Sequence, residues 1–176
     1  MASRVVTKEE MLTRVATFSE LTPSSRPLVD AVLPQFQRQI FSIIGSGVTE
    51  DPSMKVPITA VEGFHMSIIK AGPKKGTGLH NHRTVEVFMP LTGTWSVQWG
   101  DDGENELTIG QWDVISLPTG IMRGFRNESA EDAYMLALVG GDDPGRVAWA
   151  DDVMNAVRDK GFDLDDTGKI IEVAKA

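Results

Sequence analysis

The chain has no cysteine, and this absence excludes disulfide bonds and every metal site built on thiolates. It also has no run of about 20 apolar residues, the length that a membrane-spanning helix needs. The start of the chain, MASRVVTKEEM, is polar and lacks the apolar core of a signal peptide. We therefore expect a soluble, cytoplasmic protein.

Positive charge is scarce as well. The 176 residues include 17 lysines and arginines against 25 aspartates and glutamates, which gives a net charge of −8. Such a chain repels both phosphate backbones and anionic lipid headgroups, so we expect neither nucleic acid nor a membrane as a partner. Apolar residues make up 41% of the chain, which is enough for the packed core of one domain.

Residues 1–50 form an N-terminal extension. Thr7 and Glu10 have the spacing of a capping box and predict a short helix over Lys8–Val15. Several prolines then prevent a long element. The apolar and β-branched run Arg38–Ile44 is the first predicted strand.

Residues 51–141 contain short β-branched or aromatic runs separated by glycine-rich turns, a pattern that predicts a β-barrel or sandwich. The predicted strands are Phe64–Lys70, Glu86–Met89, Thr94–Trp99, Glu106–Ile109, Asp113–Leu117 and Ala133–Val139.

Residues 142–176 are predicted to pack on this barrel within one domain overall. Asp151 is positioned to cap a helix over Asp152–Lys160, and Gly161 is positioned to end it. A turn and a short last strand follow.

Histidine is rare, and two of the three histidines lie in one short motif, GLHNHRTVEVF. Residues two apart in a strand point to the same face and lie about 6.6 Å apart along the chain. His80, His82 and Glu86 therefore share one face if this motif is a regular strand. Two imidazoles and a carboxylate are a suitable ligand set for a divalent transition metal such as Fe²⁺, Mn²⁺, Ni²⁺ or Zn²⁺. On spacing alone, the alternative is a set of surface residues where a loop meets a strand.

The same motif resembles the first motif of the cupin superfamily, which is His-x-His, three or four residues, Glu, six residues and Gly. His80, His82, Glu86 and Gly93 stand at these positions. A glycine usually opens this motif six residues before the first histidine, and Lys74 stands there instead.

A second stretch, WDVISLPTGIMRGFRN, resembles the second cupin motif at Pro118, Gly120 and Asn127. Trp112 stands where that motif begins with glycine, and Arg123 stands where it has the third metal-binding histidine. The resemblance, which covers residues 72–127, implies an all-β fold: a cupin double-stranded β-helix (jelly-roll) barrel with short terminal helices. It also implies a metal inside the barrel and a homodimer, but no single activity, because cupins have many functions.

Arg123 cannot bind a metal, because its guanidinium stays protonated and has no lone pair. In one interpretation, three protein ligands leave positions open for water or substrate, and Arg123 is a catalytic residue that orients an anionic substrate. In the other, Arg123 forms an ion pair with Glu86 and holds a vestigial site shut.

Other residues are candidates for the substrate pocket: His65, Phe88, Trp95, Trp99, Met122 and Phe125. His65 is a candidate replacement ligand or substrate contact, although a lone histidine on a strand is more often structural. For the aromatic residues and Met122, core packing is the alternative.

The function expected from these patterns is a metal-dependent cupin enzyme that acts on a small anionic organic substrate, with an O₂-using dioxygenase as the first hypothesis. An isomerase or lyase and a ligand-binding cupin without turnover are the alternatives, so whether the protein is an enzyme stays open.

Overall fold

The computed structural model describes residues 3–174, and most of its regular structure is antiparallel β-sheet. The strands are β1 Arg38–Ile44, β2 Phe64–Ala71, β3 His80–Asn81, β4 Glu86–Pro90, β5 Trp95–Trp99, β6 Asn105–Ile109, β7 Ile115–Leu117, β8 Arg123–Asn127, β9 Ala133–Gly140, β10 Ala148–Trp149, β11 Phe162–Leu164 and β12 Ile170–Glu172. The helices are α1 Lys8–Leu12 and α2 Asp151–Asp159, with 3₁₀ turns at Phe18–Glu20, Val29–Val32 and Pro34–Phe36.

Two five-stranded sheets build the barrel. Sheet I has the strand order β1-β2-β9-β4-β7, and sheet II has the order β10-β3-β8-β5-β6. Apolar side chains from both sheets pack together in the interior, and Phe88, Trp95 and Met135 among them have no exposed surface. The predicted all-β jelly-roll with short helices is therefore confirmed.

A second apolar cluster joins the two ends of the chain. Val29 and Leu33 from the N-terminal segment pack against Val153 and Val157 of α2. The N-terminal segment is thereby held against the barrel near β3, which precedes β4 and carries the first predicted metal ligand. Neither α1 nor α2, with five and nine residues, is long and apolar enough to cross a lipid bilayer.

Both predicted helices form, with different bounds. The capping box of Thr7 and Glu10 is confirmed, but α1 ends at Leu12 rather than Val15. None of its residues is buried, so packing does not support a further turn. Helix α2 is preceded by Ala150, which offers no side-chain cap, so the predicted cap at Asp151 was wrong.

The two places where glycines of the cupin motifs are replaced keep a glycine-like backbone. Lys74 has φ +58° and Trp112 has φ +72°, and they are the non-glycine residues with positive φ among residues 3–174. Backbone hydrogen bonds hold both turns, from Lys74 N–H to Asn127 O at 2.8 Å and from Trp112 N–H to Pro90 O at 3.0 Å. This conformation costs an ordinary L-residue about 1–2 kcal/mol, so the surrounding fold imposes it.

Candidate metal centre

The three predicted metal ligands converge inside the barrel. His80, His82 and Glu86 are all buried, and one potential ligand atom from each lies within 4.8 Å of the other two. The prediction that one regular strand carries all three residues was wrong. His80 belongs to β3 in sheet II, Glu86 opens β4 in sheet I, and the chain crosses between the sheets at residues 82–85. The three side chains meet because the two sheets face each other, and not because residues two apart point to the same face of one strand.

The ring of His80 is oriented by a backbone carbonyl. Its Nδ1 lies 2.9 Å from Gly78 O. A carbonyl oxygen only accepts hydrogen bonds, so Nδ1 carries the proton and Nε2 keeps its lone pair. Burial lowers the pKa of His80 to about 4, although the charge of Glu86 opposes this shift. His80 is therefore neutral near pH 7 and has the tautomer that binds a metal through Nε2.

His82 and Glu86 contact each other directly. His82 Nε2 lies 3.2 Å from Glu86 Oε2, and His82 Nδ1 lies 3.0 Å from the Thr84 hydroxyl. Burial by itself would raise the pKa of Glu86, but the hydrogen bond from His82 and the positive charge of Arg123 hold that pKa below its usual value. Glu86 is therefore an anion at neutral pH. If the proton of His82 moved to Nδ1, that N–H would donate a hydrogen bond to the Thr84 hydroxyl, and Nε2 would be free to bind a metal.

Arg123 is fully buried beside these ligands. Its Nε donates to Glu86 Oε2 at 3.2 Å, and its Nη1 donates to Asn81 Oδ1 at 3.3 Å and to Ile121 O at 3.2 Å. Its Nη2 is buried with no hydrogen-bond partner among residues 3–174. Burial lowers the pKa of Arg123, yet a guanidinium remains protonated in proteins. The site therefore has a fixed positive charge and one unused donor.

The donor set fits a divalent transition metal. Metal bonds of about 2.0–2.2 Å to nitrogen and oxygen keep the donor atoms of one ion within about 4.4 Å of one another. The three donor atoms here all lie within 4.8 Å of one another, which is close to that limit. His65 does not complete the set. Its Nδ1 accepts from Gly47 N–H at 3.1 Å, and its Nε2, which must then carry the proton, lies 3.2 Å from Asp142 O. Both ring nitrogens of His65 thus hold loops in place.

A cavity of about 60 Å³ adjoins the candidate metal centre and includes His80 and Glu86 in its wall. This volume exceeds the roughly 10–15 Å³ that a single water molecule needs, so the cavity suits a small ligand. Most of the remaining wall is apolar, and the polar exceptions include His65, Thr77 and Arg38. The apolar residues of the wall include Leu28, Ile40, Ile69, Phe125, Ala137 and Val139.

Solved structures share this architecture. The polyketide cyclase RemF from Streptomyces resistomycificus superposes with a TM-score of 0.56 and 15% identity, covering 85% of each chain. The cupin domain of Cnp3 from Schizosaccharomyces pombe superposes with a TM-score of 0.51 and 9% identity, covering 72% of each chain. The chain has the cupin fold.

A third structure with this fold is an oxalate oxidase, with a TM-score of 0.53 and 18% identity over 77% of this chain and 62% of that one. No protein-family model and no curated protein sequence matches the chain. At identities this low, such likenesses establish the cupin fold and leave the activity open.

The predicted pocket residues fall into three groups. His65 and Phe125 line the cavity. Phe88 and Trp95 are instead fully buried in the apolar core, where their rings pack edge-on against Phe125. Trp99 and Met122 are half-buried, at the end of β5 and just before β8.

Sequence reasoning missed several polar residues of the cavity wall, among them Thr77 and Arg38. Thr77 lies three residues before the first predicted metal ligand, and this proximity was an available signal. Arg38 opens a predicted strand about 40 positions earlier, and nothing in the local pattern connects it with the histidines.

Proposed function

We propose that this cupin is a metal-dependent enzyme that acts on a small anionic organic substrate, and that the reaction is an O₂-using oxidation. The observation that carries the proposal is the arrangement of His80, His82 and Glu86, with the proton of His80 placed on Nδ1 by Gly78. When bound, a divalent metal would supply Lewis acidity and, for Fe or Mn, electron transfer with O₂.

The protein residues have separate roles in this proposal. His80, His82 and Glu86 hold the metal, and the apolar wall of the cavity limits access of water. The unpaired Nη2 of Arg123 orients the substrate, because a carboxylate or enolate oxygen is the group that would satisfy a buried charged donor. The oxalate oxidase among the structural neighbours is named for a small dicarboxylate substrate, which agrees with this choice of substrate class.

A cupin that binds a ligand without turnover is the second candidate. The contact between Arg123 Nε and Glu86 Oε2 favours it, because this ion pair engages one of the three metal ligands. A protein that holds no metal would favour this second candidate, and turnover of a substrate would exclude it.

Metal binding is the first test. Protein incubated with Fe²⁺, Mn²⁺, Ni²⁺ or Zn²⁺ and then desalted is expected to retain about one equivalent by elemental analysis. The variant His80→Ala should lose most of this metal. The matched control is His65→Gln, which removes a cavity histidine whose nitrogens are both engaged elsewhere and should retain the metal. Less than about a tenth of an equivalent in the parent protein would defeat the proposal.

Replacing Arg123 with histidine tests the substrate role. The Arg123→His variant should bind metal at least as tightly as the parent, because it removes a cation beside the ion. Its affinity for small carboxylates, measured by calorimetry on the metal-loaded protein, should fall about tenfold or more, because a charged hydrogen bond contributes about 1.5–3 kcal/mol. Arg126→His on the same strand is the control, since Arg126 pairs with Glu128 and Glu106. Equal anion binding by the parent and Arg123→His would show that Arg123 does not bind the substrate.

Oxygen consumption by the metal-loaded protein tests the reaction type. Small carboxylates, enols, diketones and hydroxylated aromatics form a suitable panel of substrates. No consumption with any of them, in a protein that holds its metal and binds anions, would leave the ligand-binding cupin as the better description.

A further inference from the structure

Asp30 is a fully buried carboxylate in the N-terminal segment, outside the candidate metal centre. Its Oδ2 accepts three hydrogen bonds, from Arg38 Nη1 at 3.0 Å, Thr77 Oγ1 at 2.9 Å and Gly78 N–H at 3.0 Å. Its Oδ1 lies 2.9 Å from Arg38 Nη2 in a fully buried ion pair. Asp30 therefore ties the 3₁₀ turn at Val29–Val32 to the loop that leads into β3.

Gly78 transmits this restraint to His80. Its N–H donates to Asp30, and its carbonyl accepts from His80 Nδ1 at 2.9 Å. A Cβ atom at Gly78 would lie 2.8 Å from Val153 Cγ2, so α2 closely covers this peptide from the other side. The hydrogen bond to Asp30 and the close packing of α2 thus restrain the Gly78 backbone that carries this carbonyl.

His80 needs such a restraint because its strand is very short. Strand β3 has two residues, and His80 pairs with Arg123 of β8 and Trp149 of β10. The ring of Trp149 packs against one side of His80 with 5.2 Å between the ring centroids. Neither the strand pairing nor this apolar contact determines which ring nitrogen carries the proton. The Gly78 carbonyl determines it.

We propose that Asp30 is a positioning residue of the metal centre. It holds Gly78 so that the carbonyl takes the Nδ1 proton of His80 and leaves Nε2 available to the metal, an inference that rests on the proposed metal site. Arg38 supplies the positive charge that balances the buried carboxylate. It also donates to Phe36 O and Gly76 O, so it links the N-terminal segment to the loop before β3. Through Asp30, the N-terminal segment therefore helps to position a ligand of the metal centre.

The test uses the full chain, with Co²⁺ as the probe. The Asp30→Asn variant is expected to bind Co²⁺ about 10–100-fold more weakly than the parent in a titration followed by visible absorption, the loss typical when the outer hydrogen bonds that orient a metal ligand are disturbed. Since this change leaves Arg38 buried without its counter-ion, the double variant Asp30→Asn/Arg38→Met is measured beside it. Val157→Ala is the control, because it weakens the packing between the N-terminal segment and α2 without touching Gly78.

A second measurement needs no metal. Long-range proton–nitrogen NMR spectra of the metal-free protein above pH 7 report which nitrogen of His80 carries the proton. We expect the Nδ1–H form in the parent and in Val157→Ala, and a mixture of both forms in the double variant. The inference is overturned if the double variant keeps the Nδ1–H form, or if Val157→Ala weakens Co²⁺ binding as much as Asp30→Asn does. A parent protein that fails to bind Co²⁺ would count against the proposed function, while the NMR result would still decide the role of Asp30.

Discussion

Replacing Glu86 with glutamine is expected to lower the free energy of unfolding of the metal-free protein by about 3–5 kcal/mol, the cost of leaving a buried charge without its partner. Glu86 Oε2 accepts from both His82 and Arg123, and Arg123 has no exposed surface. A neutral amide at this position leaves the guanidinium buried and uncompensated. Urea unfolding followed by tryptophan fluorescence measures the effect.

The control for this prediction removes the other charge. The double variant Glu86→Gln/Arg123→Met should recover most of the lost stability, because replacing both members of a buried ion pair is often close to neutral. Neither variant should retain metal, since both lack the carboxylate ligand. A loss below about 1 kcal/mol in Glu86→Gln would mean that the ion pair contributes no more than an exposed one.

Replacing Glu50 with glutamine is expected to change how stability depends on pH. Glu50 is buried and accepts hydrogen bonds from Val29 N–H at 2.6 Å and from Trp149 Nε1 at 2.9 Å. Burial is the largest influence and raises its pKa from 4.5 to about 7. The folded protein therefore binds this proton more tightly than the unfolded chain does. Glu50 favours folding most below pH 4.5, and this contribution is lost as the pH rises through 7.

His80 acts in the opposite sense in the metal-free protein. Its pKa falls from 6.5 to about 4 on folding, so its contribution to stability is complete above pH 6.5 and is lost as the pH falls through 4. Between pH 4.5 and 6.5, the contribution of Glu50 to stability falls as the pH rises, while the contribution of His80 increases. Stability of the parent protein should consequently change little across this interval on account of these two groups.

The variant Glu50→Gln separates the two contributions. Between pH 4.5 and 7.5 its stability relative to the parent should rise by about 3 kcal/mol, because each pKa unit corresponds to about 1.4 kcal/mol. Unfolding by urea at several pH values measures this difference. Glu172→Gln, at an exposed position of β12, is the control and should follow the parent at every pH. Parallel curves for Glu50→Gln and the parent would show that Glu50 does not titrate in this range.

Much of the barrel was predictable from local pattern. The bounds of β1 match the prediction, and β2, β4, β5, β6, β7 and β9 differ from theirs by two residues at most. These strands are rich in β-branched or aromatic residues and end at clear turns. Strand β8, Arg123–Asn127, was not predicted as a strand, because its sequence RGFRN has low β propensity. It forms because β3 and β5 pair with it on either side.

The residues of the candidate site were predictable from the sequence. How the fold brings them together was not. The spacing of His80, His82 and Glu86 is a property of the sequence, whereas their placement on two sheets depends on where the chain leaves one sheet for the other. The contact between Asp30 and Gly78 joins positions 48 residues apart, and no local periodicity encodes it. Long-range contacts of this kind determine whether a set of potential ligands is held in the form that a metal requires.

The placement of the ligands on opposite sheets gives a bound ion a mechanical role. With His80 on sheet II and Glu86 on sheet I, an ion held by both would cross-link the two halves of the barrel. In a chain without cysteine, this coordination would be the counterpart of an inter-sheet disulfide, reversible and dependent on the supply of metal. Since the folded protein alone would offer these ligands together, metal availability would set the resistance of the barrel to unfolding as well as its chemistry.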